Sequence, residues 1–149
     1  MKQVRNPVLY PSKRAGYWLL LVGLFVFFGL WLHDLGRVAL SSDEAATALM
    51  ADMRLGGIHR QNQDSPHLPA YNLTMRAWQV AAGPLHEFLT RYPSVLMGML
   101  LLGLVYRGGR ALGLGGLGAS AAALLVGFNP QITLHVREAR PYALMLLSA

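Results

Sequence analysis

Two groups of ionisable side chains stand out in a chain that is 54% hydrophobic and only 13% charged. The first group is Ser41-Ser42-Asp43-Glu44, which follows a long apolar segment. The two adjacent carboxylates, Asp43 and Glu44, could form the acidic part of an active site. The same residues also fit a helix start, because Ser41 and Glu44 have the spacing of a capping box and Asp43 suits the positive end of the helix dipole. Both interpretations stay open at this point.

The second group is His135-Val136-Arg137-Glu138-Ala139-Arg140-Pro141-Tyr142, which has four ionisable residues within six positions. Charges beside lipid are costly and tend to pair or to line a cavity. The alternative is an interfacial anchor, with Pro141 as the first residue of the next helix.

A third group, from Asp64 to Tyr71, contains His67. No pair among the five histidines of the chain has the spacing of two metal ligands on one helix face, so the sequence favours structural or hydrogen-bonding roles for them over a metal site. The chain has no cysteine, which excludes disulfides and thiolate chemistry.

Long apolar segments must position these groups. Residues 15–32 contain no charge and would form a helix of about 27 Å, close to the thickness of a bilayer core of about 30 Å. Further uncharged segments cover 92–106 and 111–132, and another begins at Pro141. A cleaved signal peptide ending near Ser41 is the alternative for the first segment, and we favour an uncleaved signal-anchor because the small residues lie well beyond the apolar run.

The charge distribution predicts an orientation. Four basic residues and no acidic ones precede the first apolar segment, and Arg107 and Arg110 lie in the next turn on that side. All seven acidic residues lie in the other loops, where seven basic residues balance them. The net charge of +6 therefore indicates a cytoplasmic N-terminus by the positive-inside rule, and we do not interpret it as nucleic-acid binding.

These features predict an all-α integral membrane protein with about three complete transmembrane helices and a truncated fourth. The nine residues of the last segment are too few to cross a bilayer, so we interpret the chain as the N-terminal part of a longer polytopic domain. The alternative is a complete small protein with a re-entrant C-terminus. The expected segments are a cytoplasmic tail at 1–14, membrane helices at 15–32, 86–106 and 113–131, and the start of a fourth membrane helix at 141–149. An extracytoplasmic loop is expected at 33–91. It would contain two interfacial helices, one from Ser41 or Ser42 to Gly56-Gly57 and one from Leu68 to Ala82.

The order of the motifs resembles a known family. The stretches SSDEAATAL, SPHLPAY, LTRYPSVLMGMLLLGLVYRGGRALG and REARPYALMLLSA are similar to the N-terminal part of polytopic glycosyltransferases that use lipid-phosphate sugars. These belong to the GT-C superfamily and are family 39-like, akin to protein O-mannosyltransferases and aminoarabinose transferases. The resemblance spans most of residues 15–149 and implies a multi-pass protein of the inner membrane that acts on the cell envelope.

The resemblance implies transfer of a sugar from a polyprenyl-phosphate donor to a protein, lipid or glycan acceptor at the extracytoplasmic face. Asp43 and Glu44 would be the catalytic residues, with Asp43 as general base. The substrate-binding residues would be Glu138, Arg140, His67 and Tyr71, with Arg140 on the leaving phosphate. The resemblance fixes no cofactor and leaves a divalent metal open. The remaining partner is membrane lipid, and no nucleic acid is expected.

A different class of function stays open beside this one. The chain could be a non-catalytic membrane protein, such as a lipid-binding or assembly subunit, in which the capped loop helices lie on the bilayer. In either case, we expect no catalysis from these 149 residues alone.

Overall fold

The structure, a computed structural model, describes residues 13–52, 69–84 and 86–141, and this part of the chain contains helices and no strand. The prediction of an all-helical chain is confirmed to that extent. The helices are α1 (Lys13–Leu32), α2 (Ser42–Asp52), α3 (Pro69–Ala82), α4 (Glu87–Ala111), α5 (Gly116–Gly127) and α6 (Pro130–Val136). The expected cytoplasmic tail and the start of a fourth membrane helix lie outside the described residues.

Two of these helices, α1 from Arg14 and α4, are long and apolar enough to cross a membrane. They pack with α5 as a bundle. The first turns of α1 and α5 touch where the Ser120 hydroxyl donates to the Gly16 carbonyl at 2.7 Å, and Phe27 and Phe128 pack edge to face towards their other ends. Helix α4 runs the opposite way, since Tyr106 near its C-terminus contacts Tyr17 near the start of α1.

Close helix approach in this bundle depends on small residues. A Cβ atom on Gly16 would lie 2.7 Å from the Gly116 Cα, and one on Gly127 would lie 2.5 Å from the Phe27 ring. Without side chains at these points, the backbones approach closely enough for dispersion contacts along the helices. The main core cluster forms around Phe27, Trp31, Leu35, Val95, Leu102 and Val136.

The third apolar segment is not one straight helix. Helix α5 has 12 residues and ends at Gly127, and α6 leaves it at 67°. The Asn129 side chain accepts hydrogen bonds from the backbone N–H groups of Gln131 and Ile132, and Pro130 occupies the first turn. This cap starts a new helix, so the membrane helix expected at 113–131 is shorter than predicted. The described part of the chain has two candidate spans, or three if the bent pair is counted as one.

Helices α2 and α3 form a second, smaller core at one end of the bundle, built from Ala51, Tyr71 and Met75. Helix α3 ends at Ala82, and the next residue, Gly83, adopts a positive φ of 93° at little cost because glycine has no Cβ. The expected helix from Leu68 to Ala82 is thus present as α3. Helix α2 is described as far as Asp52, and its predicted continuation to Gly56-Gly57 lies beyond the described residues.

The first turns of α4 form a docking surface for α3. Pro93 lies inside α4 and has no N–H to give the Leu89 carbonyl four residues earlier. The Trp78 indole donates to that carbonyl at 2.9 Å and stacks on the ring of Tyr92. A side chain from α3 thus satisfies the carbonyl that the proline leaves open, as an apolar environment requires.

Candidate functional site

The two ionisable groups singled out by the sequence meet in the structure. The Arg140 Nη2 atom lies 2.8 Å from the Asp43 Oδ2 atom, although the residues are far apart in the sequence. The Asp43 side chain is 61% exposed and that of Arg140 is 31% exposed, so both remain open to a ligand. The Ser42 hydroxyl donates to the other Asp43 oxygen at 3.3 Å. Asp43 is thus a carboxylate at the protein surface beside a guanidinium.

Glu44, the next residue, has a different environment. It is 3% exposed, and both of its oxygens are 2.8 Å from nitrogens of the Arg91 guanidinium. The Oε1 atom also accepts from the Ala139 N–H at 3.0 Å, and the Oε2 atom accepts from the Ser41 N–H at 2.9 Å. The Glu44 N–H in turn donates to the Ser41 hydroxyl at 3.4 Å, which completes the predicted capping box.

Arg91 lies in the first turns of α4, and the residue is 7% exposed. Beyond the two bonds to Glu44, its Nη1 atom donates to the carbonyls of Leu35 and Val38, each at 2.8 Å, and its Nη2 atom donates to the Ala39 carbonyl at 3.2 Å. A guanidinium has five N–H donors, and here every one has an acceptor. One side chain thereby ties α4 to α2 and to the segment between α1 and α2.

These contacts set the protonation of Glu44. Burial by itself would raise the pKa of this carboxyl, but the hydrogen bonds from Arg91, Ala139 and Ser41 and the charge of Arg91 outweigh it and lower the pKa from 4.5 to about 2. Glu44 is therefore ionised at neutral pH and is a weak proton acceptor. Of the two adjacent carboxylates, the exposed Asp43 is the better placed for proton transfer to a ligand.

A cleft of about 630 Å³ opens beside the Asp43–Arg140 pair. Glu44 and Arg91 contribute to its inner wall, and its outer part carries further charged groups together with apolar surface from α6. The lining residues are Asp34, Leu35, Val38, Ala39, Ser41, Glu44, Arg91, Pro130, Thr133, Leu134, Arg137, Glu138 and Arg140. Its volume falls in the range of small-ligand sites. Its lining combines three guanidinium groups, three carboxylates and apolar side chains.

The turn after α6 supplies the cationic side of the cleft. The Glu138 carboxylate lies 3.9 Å from the Arg140 Nε atom and 3.7 Å from the His135 Nδ1 atom. Arg137 donates to the His33 carbonyl at 2.7 Å, which fastens the turn to the end of α1. Glu138 and Arg140 thus both line the cleft, and their role as substrate-binding residues stays a prediction.

The remaining predicted site residues do not join this cluster. Tyr71 is 2% exposed in the core between α2 and α3, and its hydroxyl lies 3.5 Å from the Ser94 hydroxyl. Burial and the nearby Glu44 charge raise the pKa of Tyr71 to about 12, against the effect of the Ser94 bond. The structure places this side chain in packing and away from the lining of the cleft. His67 lies outside the described residues.

Within residues 13–52, 69–84 and 86–141, no three His, Asp or Glu side chains come together in a way that could hold a metal ion. Asp43, Glu138 and His135 lie in one region of the molecule, but their recorded partners are mainly basic groups or each other. The charged side chains that line the cleft, among the described residues, are guanidinium and carboxylate groups.

Arg91 is the residue that the sequence analysis missed. Arg91 belongs to the stretch LTRYPSV, which was used for the family resemblance without a role for this arginine. The available signal was its place near the start of a membrane-length apolar helix, where a charge needs a partner. The pairing with Glu44 could not be derived from the sequence, because the two residues are 47 positions apart.

The chain was compared with known proteins, and no family model, no curated protein and no solved structure matches it. The case for a function consequently depends on the geometry of the Asp43–Arg140 pair and the cleft beside it.

Proposed function

We propose that this chain forms the donor-phosphate and acceptor side of a membrane glycosyltransferase that uses a polyprenyl-phosphate sugar. The observation that carries the proposal is the 2.8 Å contact between Asp43 and Arg140 at the mouth of the cleft. This contact supports the proposal because a carboxylate that could act as general base and a guanidinium that could bind a phosphate lie at the same point, and the reaction needs both.

The chemistry follows from these two groups. The acceptor hydroxyl or amine attacks the anomeric carbon of the donor, a new glycosidic bond forms, and the bond from that carbon to the phosphate oxygen breaks. The lipid phosphate leaves with the electron pair, and the Arg140 guanidinium stabilises its charge. The Asp43 carboxylate takes the acceptor proton, and displacement in one step inverts the configuration of the sugar.

Membrane placement is part of the proposal. Helices α1 and α4 would cross the bilayer in the inner membrane with the N-terminus in the cytoplasm, and the cleft would face the extracytoplasmic side. The two features that support this are the apolar length of both helices and the location of Arg107 and Arg110 at the end of the bundle away from Asp43. The apolar surface contributed by Val38, Pro130 and Leu134 would contact the lipid chain of the donor.

Sugar transfer in the membrane protein that carries this sequence tests the proposal. Membranes are supplied with labelled polyprenyl-phosphate mannose, and label in the acceptor fraction is measured for the wild type and for Asp43→Asn. We expect the variant to lose about 10² to 10⁴-fold in rate, because general base catalysis contributes about that much. Asp52→Asn, at the far end of α2, is the control and should transfer normally.

Undiminished transfer by Asp43→Asn would remove Asp43 from the mechanism. If no polyprenyl-phosphate sugar is consumed by the wild type, the second candidate gains, namely a non-catalytic lipid-binding subunit. The observation that favours this alternative is the apolar surface of Val38, Pro130 and Leu134 in the cleft, which could hold a lipid chain without any transfer step.

A further inference from the structure

The interaction free energy of the Asp43–Arg140 pair is too small to fix the geometry of the two side chains. The Asp43 side chain is 61% exposed and that of Arg140 is 31% exposed, and an ion pair this accessible to solvent contributes only about 0 to 1 kcal/mol. Each partner nevertheless has a neighbour in the sequence that is held firmly: Glu44 follows Asp43, and Ala139 precedes Arg140.

Those two neighbours are hydrogen-bonded to each other. The Ala139 N–H donates to the Glu44 Oε1 atom at 3.0 Å, and both residues are buried. The bond joins the first turn of α2 to the turn after α6, at the place where Asp43 and Arg140 project. The buried hydrogen bond between Ala139 and Glu44 thus sets the position of Asp43 relative to Arg140.

Arg91 keeps the Glu44 oxygens in place for that bond. It contacts the same Oε1 atom that accepts from Ala139, and its other donors hold the carbonyls of Leu35, Val38 and Ala39, just before α2. Breaking a buried ion pair by removing one partner is far more disruptive than breaking an exposed pair, since it leaves a buried charge without compensation.

We infer that Arg91 is a positioning residue, which acts through Glu44 to hold Asp43 and Arg140 in register across the mouth of the cleft. The inference deepens the proposed function and rests on it only for the role of the Asp43–Arg140 pair. A lysine could not replace Arg91, because one ammonium has three donors at a single point while Arg91 uses five donors spread over a planar fork.

The test measures position independently of activity. The chain has no cysteine, so spin labels can be attached through Ala46→Cys on α2 and Gln131→Cys on α6, both exposed positions. The label-to-label distance distribution is recorded in lipid nanodiscs for the otherwise unchanged chain and for Arg91→Lys, Glu44→Gln and Arg76→Lys. Arg76 is the matched control, because it donates to the Ala51 carbonyl and to Gln79 and not to the Glu44 cluster.

We expect a single narrow distance distribution in the parent chain. In Arg91→Lys, the distribution should be broadened or shifted, with helix content retained. Glu44→Gln should behave like Arg91→Lys, and it decides the matter if Arg91→Lys fails to fold. Arg76→Lys should leave the distribution narrow. A distribution in Glu44→Gln and Arg91→Lys that is the same as in the parent would overturn the inference.

A second readout links position to chemistry. In the transfer assay, Arg91→Lys should lower kcat about 100-fold with little change in KM, the size of effect expected when reacting groups are misplaced by about 1 Å. If the distance distribution changes but neither the wild type nor any variant transfers sugar, Arg91 still positions the pair and the proposed function fails. If transfer is lost through KM alone, Arg91 binds substrate and the positioning role is wrong.

Discussion

At the scale of single residues, two adjacent carboxylates have opposite environments. Successive residues on a helix point about 100° apart, so at the start of α2 one side chain faces the surface and the next faces the interior. Asp43 is 61% exposed beside Arg140, while Glu44 is buried against Arg91. The capping interpretation and the chemical interpretation of the sequence are therefore both compatible with the structure, for different residues.

The low pKa of Glu44 predicts a specific loss of stability in acid. Its pKa is about 2 in the folded chain against 4.5 for an ordinary glutamate, so its contribution is complete above pH 4.5 and is lost as the pH falls towards 2. The shift corresponds to roughly 3 kcal/mol. Unfolding in detergent, followed by circular dichroism between pH 7 and pH 2.5, should show this decline.

Two variants make that measurement specific. Glu44→Gln should be less stable at pH 7 and should lose much of the decline, because the ionised carboxylate is no longer present. Asp52→Asn, which removes an exposed carboxylate on the same helix, should keep the decline. An acid profile in Glu44→Gln that parallels the wild type would show that other groups cause it.

At the scale of helices, much of the arrangement was predictable. Helix α1 and helix α3 lie within two residues of their expected bounds, because an uninterrupted apolar segment and a Gly83-Pro84 stop are strong local signals. The break between α5 and α6 was not predicted, since one membrane helix was expected over 113–131. That α6 follows as a separate helix depends on the Asn129 cap and on Trp31, whose indole lies 3.4 Å from the Thr133 hydroxyl, and the latter contact is not visible in a local pattern.

The contact between α1 and α5 gives a prediction with an internal control. Gly16→Ala should destabilise the bundle by about 1 to 3 kcal/mol, because the new methyl group meets the backbone of Gly116. Gly29→Ala, on the same helix with open space around it, should be neutral or stabilising by up to about 1 kcal/mol. Detergent unfolding curves of the two variants provide the comparison, and equal effects would contradict the close approach of the two helices.

The docking of α3 on α4 predicts coupling between Pro93 and Trp78. In the wild type, Trp78→Phe leaves the Leu89 carbonyl without its donor and should cost about 1 kcal/mol. In a Pro93→Ala background, the helix can supply an N–H to that carbonyl, so the same change should cost less. A double-mutant cycle on unfolding free energies measures the difference, and strict additivity would mean that the two residues act independently.

At the scale of the whole molecule, the proposed transfer reaction requires both charged groups of the site on one side of the membrane. Single cysteines at Ser42 and Gln131 should react with an impermeant maleimide added outside intact cells. A cysteine at Leu112, which is 85% exposed near the Arg110 end of α4, should react only after permeabilisation. Labelling of Leu112→Cys and Ser42→Cys from the same side would contradict the proposed orientation.

Arg140, which lies beside Asp43 at the cleft, is proposed to bind the phosphate of the lipid, and a binding measurement tests this central claim most directly. Sugar-free polyprenyl phosphate is titrated into the chain in nanodiscs, with Arg140→Gln and the matched surface variant Arg37→Gln beside the wild type. Loss of a charge-assisted hydrogen bond of about 1.5 to 3 kcal/mol predicts roughly 10- to 100-fold weaker binding for Arg140→Gln and no change for Arg37→Gln. Equal affinity of Arg140→Gln and the wild type would contradict the claim.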